Sequence, residues 1–280
     1  IRNLGREAFP HFVEINFLEN TAARKMFENA TDSSDLLLRL SALAGQSLVP
    51  GKTLIFLDEV QECKEIVTAI KFLVEEGSYR YILSGSLLGV ELKDIRSAPV
   101  GYMDVLEMFP MDLAEFARAN GVSDRVMEHL QRCYDQKQEV EPMIHQKMME
   151  LFRLYLLVGG MPQAVADYVE QRDFGEVDLI KRGILQLYSD DIGKFANGDA
   201  GRVRGIFAQI PGQLSKHEKR FTLASVDKGA RSREYDSAFF WLEDARLVNL
   251  CRNSTDPLVG LGLYEDNDSF KCYMADTGLL

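Results

Sequence analysis

The run Thr53–Gln61, TLIFLDEVQ, constrains this chain more than any other segment. It is an apolar strand that ends in two adjacent carboxylates, Asp58 and Glu59, with a helix start behind them. A strand this apolar is covered on both faces, as in parallel sheets. It delivers its last side chains to the carboxyl edge of the sheet, where ligands of open α/β sheets bind. Two acids at that edge suit magnesium chemistry, one holding the ion through water and the next polarising an attacking water. The competing explanation is a solvated strand end followed by acids that favour a helix N-terminus.

The segments on either side repeat the same architecture. FVEINF, residues 12–17, alternates as a short strand does. Residues 33–44 carry apolar side chains at helical spacing, with Gly45 as terminator. Pro50-Gly51 turns into the strand 53–57, an amphipathic helix covers 64–76 up to Gly77, and Tyr79–Leu83 reads as a third strand ending in Ser84-Gly85-Ser86. Tyr102–Met108 reads as a fourth strand, followed by a helix over 112–120. Strands and helices alternating on short links imply a doubly wound parallel sheet. The opening IRNLGREAF reads as the tail of a helix stopped by Gly5, and both ends of the chain look cut.

Beyond Gly121 the pattern is almost wholly helical to about Pro211, with helices at 124–136, 143–158, 163–170, 177–195 and 201–210. The last seventy or so residues mix a short helix, a helix at 232–245 and strands at 247–252 and 270–275, an order that suits a small winged-helix domain. The expected division is therefore a core over 1–120, a helical lid over 121–212 and a winged helix over 213–280.

Ser84 and Ser86 close the strand beside Asp58, so their hydroxyls are expected at the same edge, where one could orient water against a phosphate; a local turn is the plainer alternative. Pro50-Gly51-Lys52-Thr53 carries the letters GKT, but a phosphate loop needs G-x-x-x-x-G-K-[ST] between a strand and a helix. Here Gln46 stands where the first glycine belongs, and the order of strand and helix is reversed. This is a turn. Gly159-Gly160-Met161-Pro162 punctuates two helices. Between Lys216 and Arg233 six basic residues face two acids, and with Lys228, Arg231 and Arg233 near a helix start this could serve as a DNA-backbone contact. A solvated charged face is the more common explanation, and the whole chain is acidic. The aromatic set Tyr235, Phe239, Phe240 and Trp241 is expected in the core.

The formal charge of −11 argues against wholesale coating of nucleic acid or of an anionic membrane. The longest apolar runs fall short of the roughly 18 residues of a membrane span. Four scattered cysteines and four histidines suggest neither a zinc site nor a disulfide framework. Reduced thiols in a cytoplasmic protein, without membrane attachment, are the expectation.

Taken in order, LIFLDEVQE, YILSGSLL, VGYMDVLEMFPMDLAEFARANG, YLLVGGMPQAV, LYSDDIGKF and FKCYMADTGLL closely resemble a prokaryotic family of AAA+-like P-loop ATPases. Members combine a P-loop core, a helical lid, a winged-helix segment and a C-terminal nuclease-like domain. The resemblance covers essentially the whole chain and implies a truncated, doubly wound, parallel P-loop core. It implies ATP and Mg2+ as ligands, Asp58 and Glu59 as the Walker B pair (Asp58 for the metal, Glu59 catalytic), and Ser84–Ser86 as the sensor segment. Gly159–Pro162 and Asp190-Asp191-Ile192 match lid signatures. The family's phosphate loop would precede Ile1 and its nuclease-like domain would follow Leu280, so this stretch alone is expected to bind nucleotide weakly. Gly101-Tyr102 stands where relatives often carry an arginine, so no arginine finger is assigned. The family's strand order also leaves a gap between 79–83 and 102–108. Nucleotide, DNA through the winged helix, and a protein partner or second copy are the expected partners. The alternative is a DNA- or protein-binding regulator with a vestigial ATPase core, linked by family analogy to a nuclease or toxin system.

Overall fold

The computed structural model describes residues 1–27, 32–85, 101–196, 198–227, 229, 231–256 and 261–280. The chain forms two compact units, Ile1–Glu107 and Met108–Leu280.

The first unit is built on three parallel strands in the order β1 (His11–Asn16), β2 (Thr53–Asp58) and β3 (Arg80–Leu83). Alternation along the strands divides their side chains between two faces. Val13, Ile15, Ile55 and Leu57 pack with Leu36 and Leu40 of α3 (Ser33–Ala44) and with Ile66, Ile70 and Leu73 of α4 (Lys64–Glu76). On the opposite face, Phe12 and Phe56 stack with ring centres 6.4 Å apart, and α1 (Arg2–Ala8) lies over Phe12. Thr53 to Leu57 are all buried, which is the double coverage their apolar run demands.

Local signals placed most boundaries. Gly45 and Gly77 close α3 and α4 with left-handed φ of 63° and 80°. Pro50-Gly51-Lys52 is a turn, with Gly51 donating its N–H to Ser78 O at 2.7 Å, and it leads into β2 rather than into a helix. Gly5 does not stop α1. It lies buried inside the helix, where any side chain would run into the Phe12 ring, so its role is close approach. The short helix α2 (Thr21–Met26), capped by Asn20, has too few apolar repeats to be read from sequence. Residues 102–110 form no strand. Tyr102 donates to Glu75 at 2.7 Å and Met103 packs on the core, while Val105 and Leu106 are exposed. A strand exists through its ladder, and among the described residues β3 has no neighbour on its outer side to provide one.

The second unit begins with the extended residues 108–111 and α5 (Leu113–Ala119), held by a reciprocal capping box between Asp112 and Glu115. Phe116 is fully buried against Tyr155 and Tyr168, so α5, read with the core from sequence, packs with α7 (Pro142–Val158) and α8 (Pro162–Gln171). α6 (Asp124–Gln136) and α9 (Phe174–Phe195) complete the helical part. α10 (Ala200–Leu214), a 3-10 turn at Leu223–Ser225, α11 (Ser232–Asp244) and the antiparallel hairpin β4 (Val248–Ser254) and β5 (Glu265–Met274) follow. Phe221 adds a rung by donating its N–H to Phe270 O at 2.9 Å, and Phe221, Phe239 and Phe270 form a three-ring cluster. Tyr235 and Phe239 are core as expected, but Phe240 is exposed, one residue around the helix from the buried stripe.

The Gly159-Gly160 junction ties this unit together. Met111 donates its N–H to Gly160 O at 2.7 Å, and the Tyr155 hydroxyl donates to Met111 O at 2.9 Å. The buried Asp276 carboxylate accepts from the amides of Gly160 and Gly278. Burial pushes that carboxyl above the usual range, and the two amides pull it partly back. A side chain on Gly160 would overlap the Met111 carbonyl, and one on Gly159 (φ 84°) would overlap Asp276. Gly160→Ala is expected to lower the unfolding free energy of this unit by about 2 kcal/mol or more, read by urea denaturation. An unchanged midpoint would mean that the backbone there yields freely.

Candidate functional site

Asp58 closes β2 on the same face as Phe56, because side chains two apart share a face. The in-register pairing sets Asn16 beside it on β1, and Ser84 follows β3 on the other side. Ser84 is fixed by its backbone, donating its N–H to Leu57 O at 2.9 Å and accepting from Val60 N at 3.0 Å. Its hydroxyl donates to Asp58 Oδ1, while Asn16 Nδ2 donates to Asp58 Oδ2 at 3.0 Å. Arg2 approaches Asp58 Oδ2 to 4.0 Å but forks onto Glu14, with Nε 2.9 Å from both carboxylate oxygens. That hydrogen bonding holds Glu14 below the usual carboxylate range. Ile1, Arg2, Asn3, Phe56, Asp58 and Ser84 line an open cleft of about 450 Å³, a size within the range of small-molecule sites.

Glu59 takes another course. It adopts a left-handed conformation (φ 56°, ψ 46°) and opens the 3-10 turn Val60–Glu62. A non-glycine residue held there costs on the order of 1–3 kcal/mol, and such strain collects at functional sites. Its Oε2 accepts from Gln61 Nε2 at 2.5 Å, and Glu59 is not among the residues lining the cleft. Gly85 lies so close that an added side chain would come within 2.5 Å of Gln61 Oε1.

The structure thus brings Asp58 and Ser84 together and turns Glu59 aside onto Gln61. Ser86 and Lys228 lie outside the described residues. Arg231, at the N-cap of α11, and Arg233 in its first turn are exposed. Arg2, Glu14, Asn16 and Gln61 were missed from sequence. Strand alternation could have flagged Glu14 and Asn16, since both share the Asp58 face once β1 and β2 are paired in parallel. Of the residues matched to lid signatures by resemblance, Ile192 is core, and burial raises the Asp191 carboxyl above its ordinary range.

Among the described residues no group of three or more His, Cys, Asp or Glu could hold a metal ion. One carboxylate with a neighbouring hydroxyl in an open cleft suits Mg2+, which keeps several waters and shares its shell with phosphates rather than entering an all-protein cage. No helix among the described residues is long and apolar enough to cross a membrane.

Ser84→Ala removes the donor to Asp58 Oδ1 and is expected to cost about 1–2 kcal/mol in chemical denaturation, with Ser84→Thr recovering most of it. Equal stability of all three proteins would show that the hydroxyl does not hold the carboxylate.

A family model described as an AAA domain matches residues 1–117. A second, described as a domain of unknown function (DUF8612), matches residues 149–280. No curated protein matches the chain. The first match supports an AAA-like, nucleotide-binding core, and the parallel α/β sheet of the first unit fits it.

Proposed function

We propose that the first unit is the core of a magnesium-dependent ATPase. The observation that carries this reading is Asp58 at the carboxyl edge of the central strand, bonded to the Ser84 hydroxyl and facing an open cleft. In this reading Asp58 would hold Mg2+, and Ser84 keeps that carboxylate facing the cleft. The ion's chemistry there is neutralisation of charge on the phosphates of bound ATP. Glu59 acts as general base: it takes the proton of a water whose oxygen attacks the terminal phosphorus as the bridging P–O bond breaks. To do so Glu59 must leave Gln61 and turn toward the cleft. In the second unit, residues 121–212 serve as the lid, with α5 packed against them, and residues 213–280 form the winged helix. Four free cysteines support a reducing, cytoplasmic setting.

The expected result for Glu59→Gln in the full-length protein is retained ATP binding with turnover lowered about 100-fold or more, in a steady-state phosphate-release assay. Undiminished turnover would remove Glu59 from the mechanism.

The second reading is a regulator whose winged helix contacts DNA while the ATPase core is vestigial. Exposed Arg231 and Arg233 at the start of α11 favour it, since recognition helices meet DNA with their N-terminal residues. Replacing both with alanine should weaken duplex binding regardless of sequence and reduce the logarithmic salt slope by about 2. Binding that ignores salt, or ignores both changes, would exclude this reading.

A further inference from the structure

We infer that Asn16 is a positioning residue that aims the Asp58 carboxylate into the cleft. Asn16 is the last residue of β1 and pairs in register with Asp58. Its Oδ1 accepts two backbone N–H groups, from Leu18 at 2.8 Å and Glu19 at 3.0 Å. A reversed amide would set its NH2 against those two donors, so the hydrogen-bond network leaves one orientation. The NH2 therefore faces Asp58 and donates to Oδ2 at 3.0 Å.

With Ser84 donating to Oδ1, each carboxylate oxygen has one neutral donor from a neighbouring strand. Each oxygen also keeps an accepting lone pair. The nearby guanidinium is the weaker partner: Arg2 reaches Asp58 Oδ2 only at 4.0 Å, while its fork is hydrogen-bonded to Glu14. A neutral clamp fixes the direction of Asp58 and leaves its negative charge for a cation, whereas a guanidinium clamp would have neutralised it. This inference rests on the reading of the cleft as a metal–nucleotide site.

The test exchanges the partners in the full-length protein and uses Mn2+ together with ATP as the spectroscopic probe. Asn16→Asp keeps the acceptor for Leu18 and Glu19 but points a second carboxylate at Asp58. It is expected to lower the melting temperature by about 4 °C. Adding Asp58→Asn lets the new amide donate back to residue 16, and this double variant should recover most of the loss. Asn16→Ala should bind Mn2+ about tenfold more weakly than wild type by electron paramagnetic resonance. Asp58→Asn, alone or in the exchanged pair, should abolish that binding. An Asn16→Asp protein that melts like wild type, or an exchange without recovery, overturns the inference. So does Asn16→Ala with wild-type Mn2+ affinity, because Asn16 would then merely brace the strands. If wild type takes up no Mn2+ in the presence of ATP while the melting pattern holds, the ATPase reading falls and the aiming of Asp58 stands.

Discussion

The parallel, in-register pairing of β1, β2 and β3 is the constraint on which the rest of the first unit depends. Side chains alternate along each strand, so pairing residue 16 with 58 and 57 with 83 decides which atoms can meet. One face receives Val13, Ile15, Ile55 and Leu57 and becomes the core with α3 and α4. The other receives Phe12, Glu14, Asn16, Phe56 and Asp58, and α1 covers its apolar part. A slip of one residue would send Asp58 into the hydrocarbon of α3 and α4. Burying an unpaired carboxylate there costs several kcal/mol (on the order of the effective penalty per ion), which no packing gain would offset. The same burial that stabilises the sheet therefore fixes the position of its polar edge.

At that edge, adjacent carboxylates are kept from acting as one charge cluster. Asp58 stays in strand geometry and is held by neutral donors from both neighbours. The left-handed turn at Glu59 rotates the next carboxylate onto Gln61, which lies over Gly85. Backbone bonds from Ser84 to Leu57 and Val60 lie between the two arrangements.

The second unit combines two buried hydrophobic clusters with one junction made by close backbone contact. Residues distant in sequence, Met111, Gly159-Gly160 and Asp276–Gly278, meet where side chains would not fit, and a buried carboxylate satisfies two of the amides exposed by that approach. The glycine pair read as helix punctuation is thus also a tertiary junction. Its neighbour α5 belongs with these helices because Phe116 is buried among them.

Local chemistry in the sequence determined most of the element list, though not α2. The apolar run 53–57, the helices closed by Gly45 and Gly77, the turn at Pro50-Gly51 and the alternation of α and β are all short-range signals, and they placed Asp58 and Ser84 at one edge. Only the tertiary structure decided what those signals leave open. Tyr102–Met108 has strand-like residues but no ladder partner among the described residues, and it forms no strand. Gly5 lies inside a helix because Phe12 needs its space. Glu59 is turned from the cleft by a dihedral angle that no residue pattern announces, and Asn16 meets Asp58 only once two strands forty-two positions apart lie side by side. Propensity and periodicity act over a few residues, whereas the direction of a side chain at a sheet edge is set by strands that the chain brings together from far away.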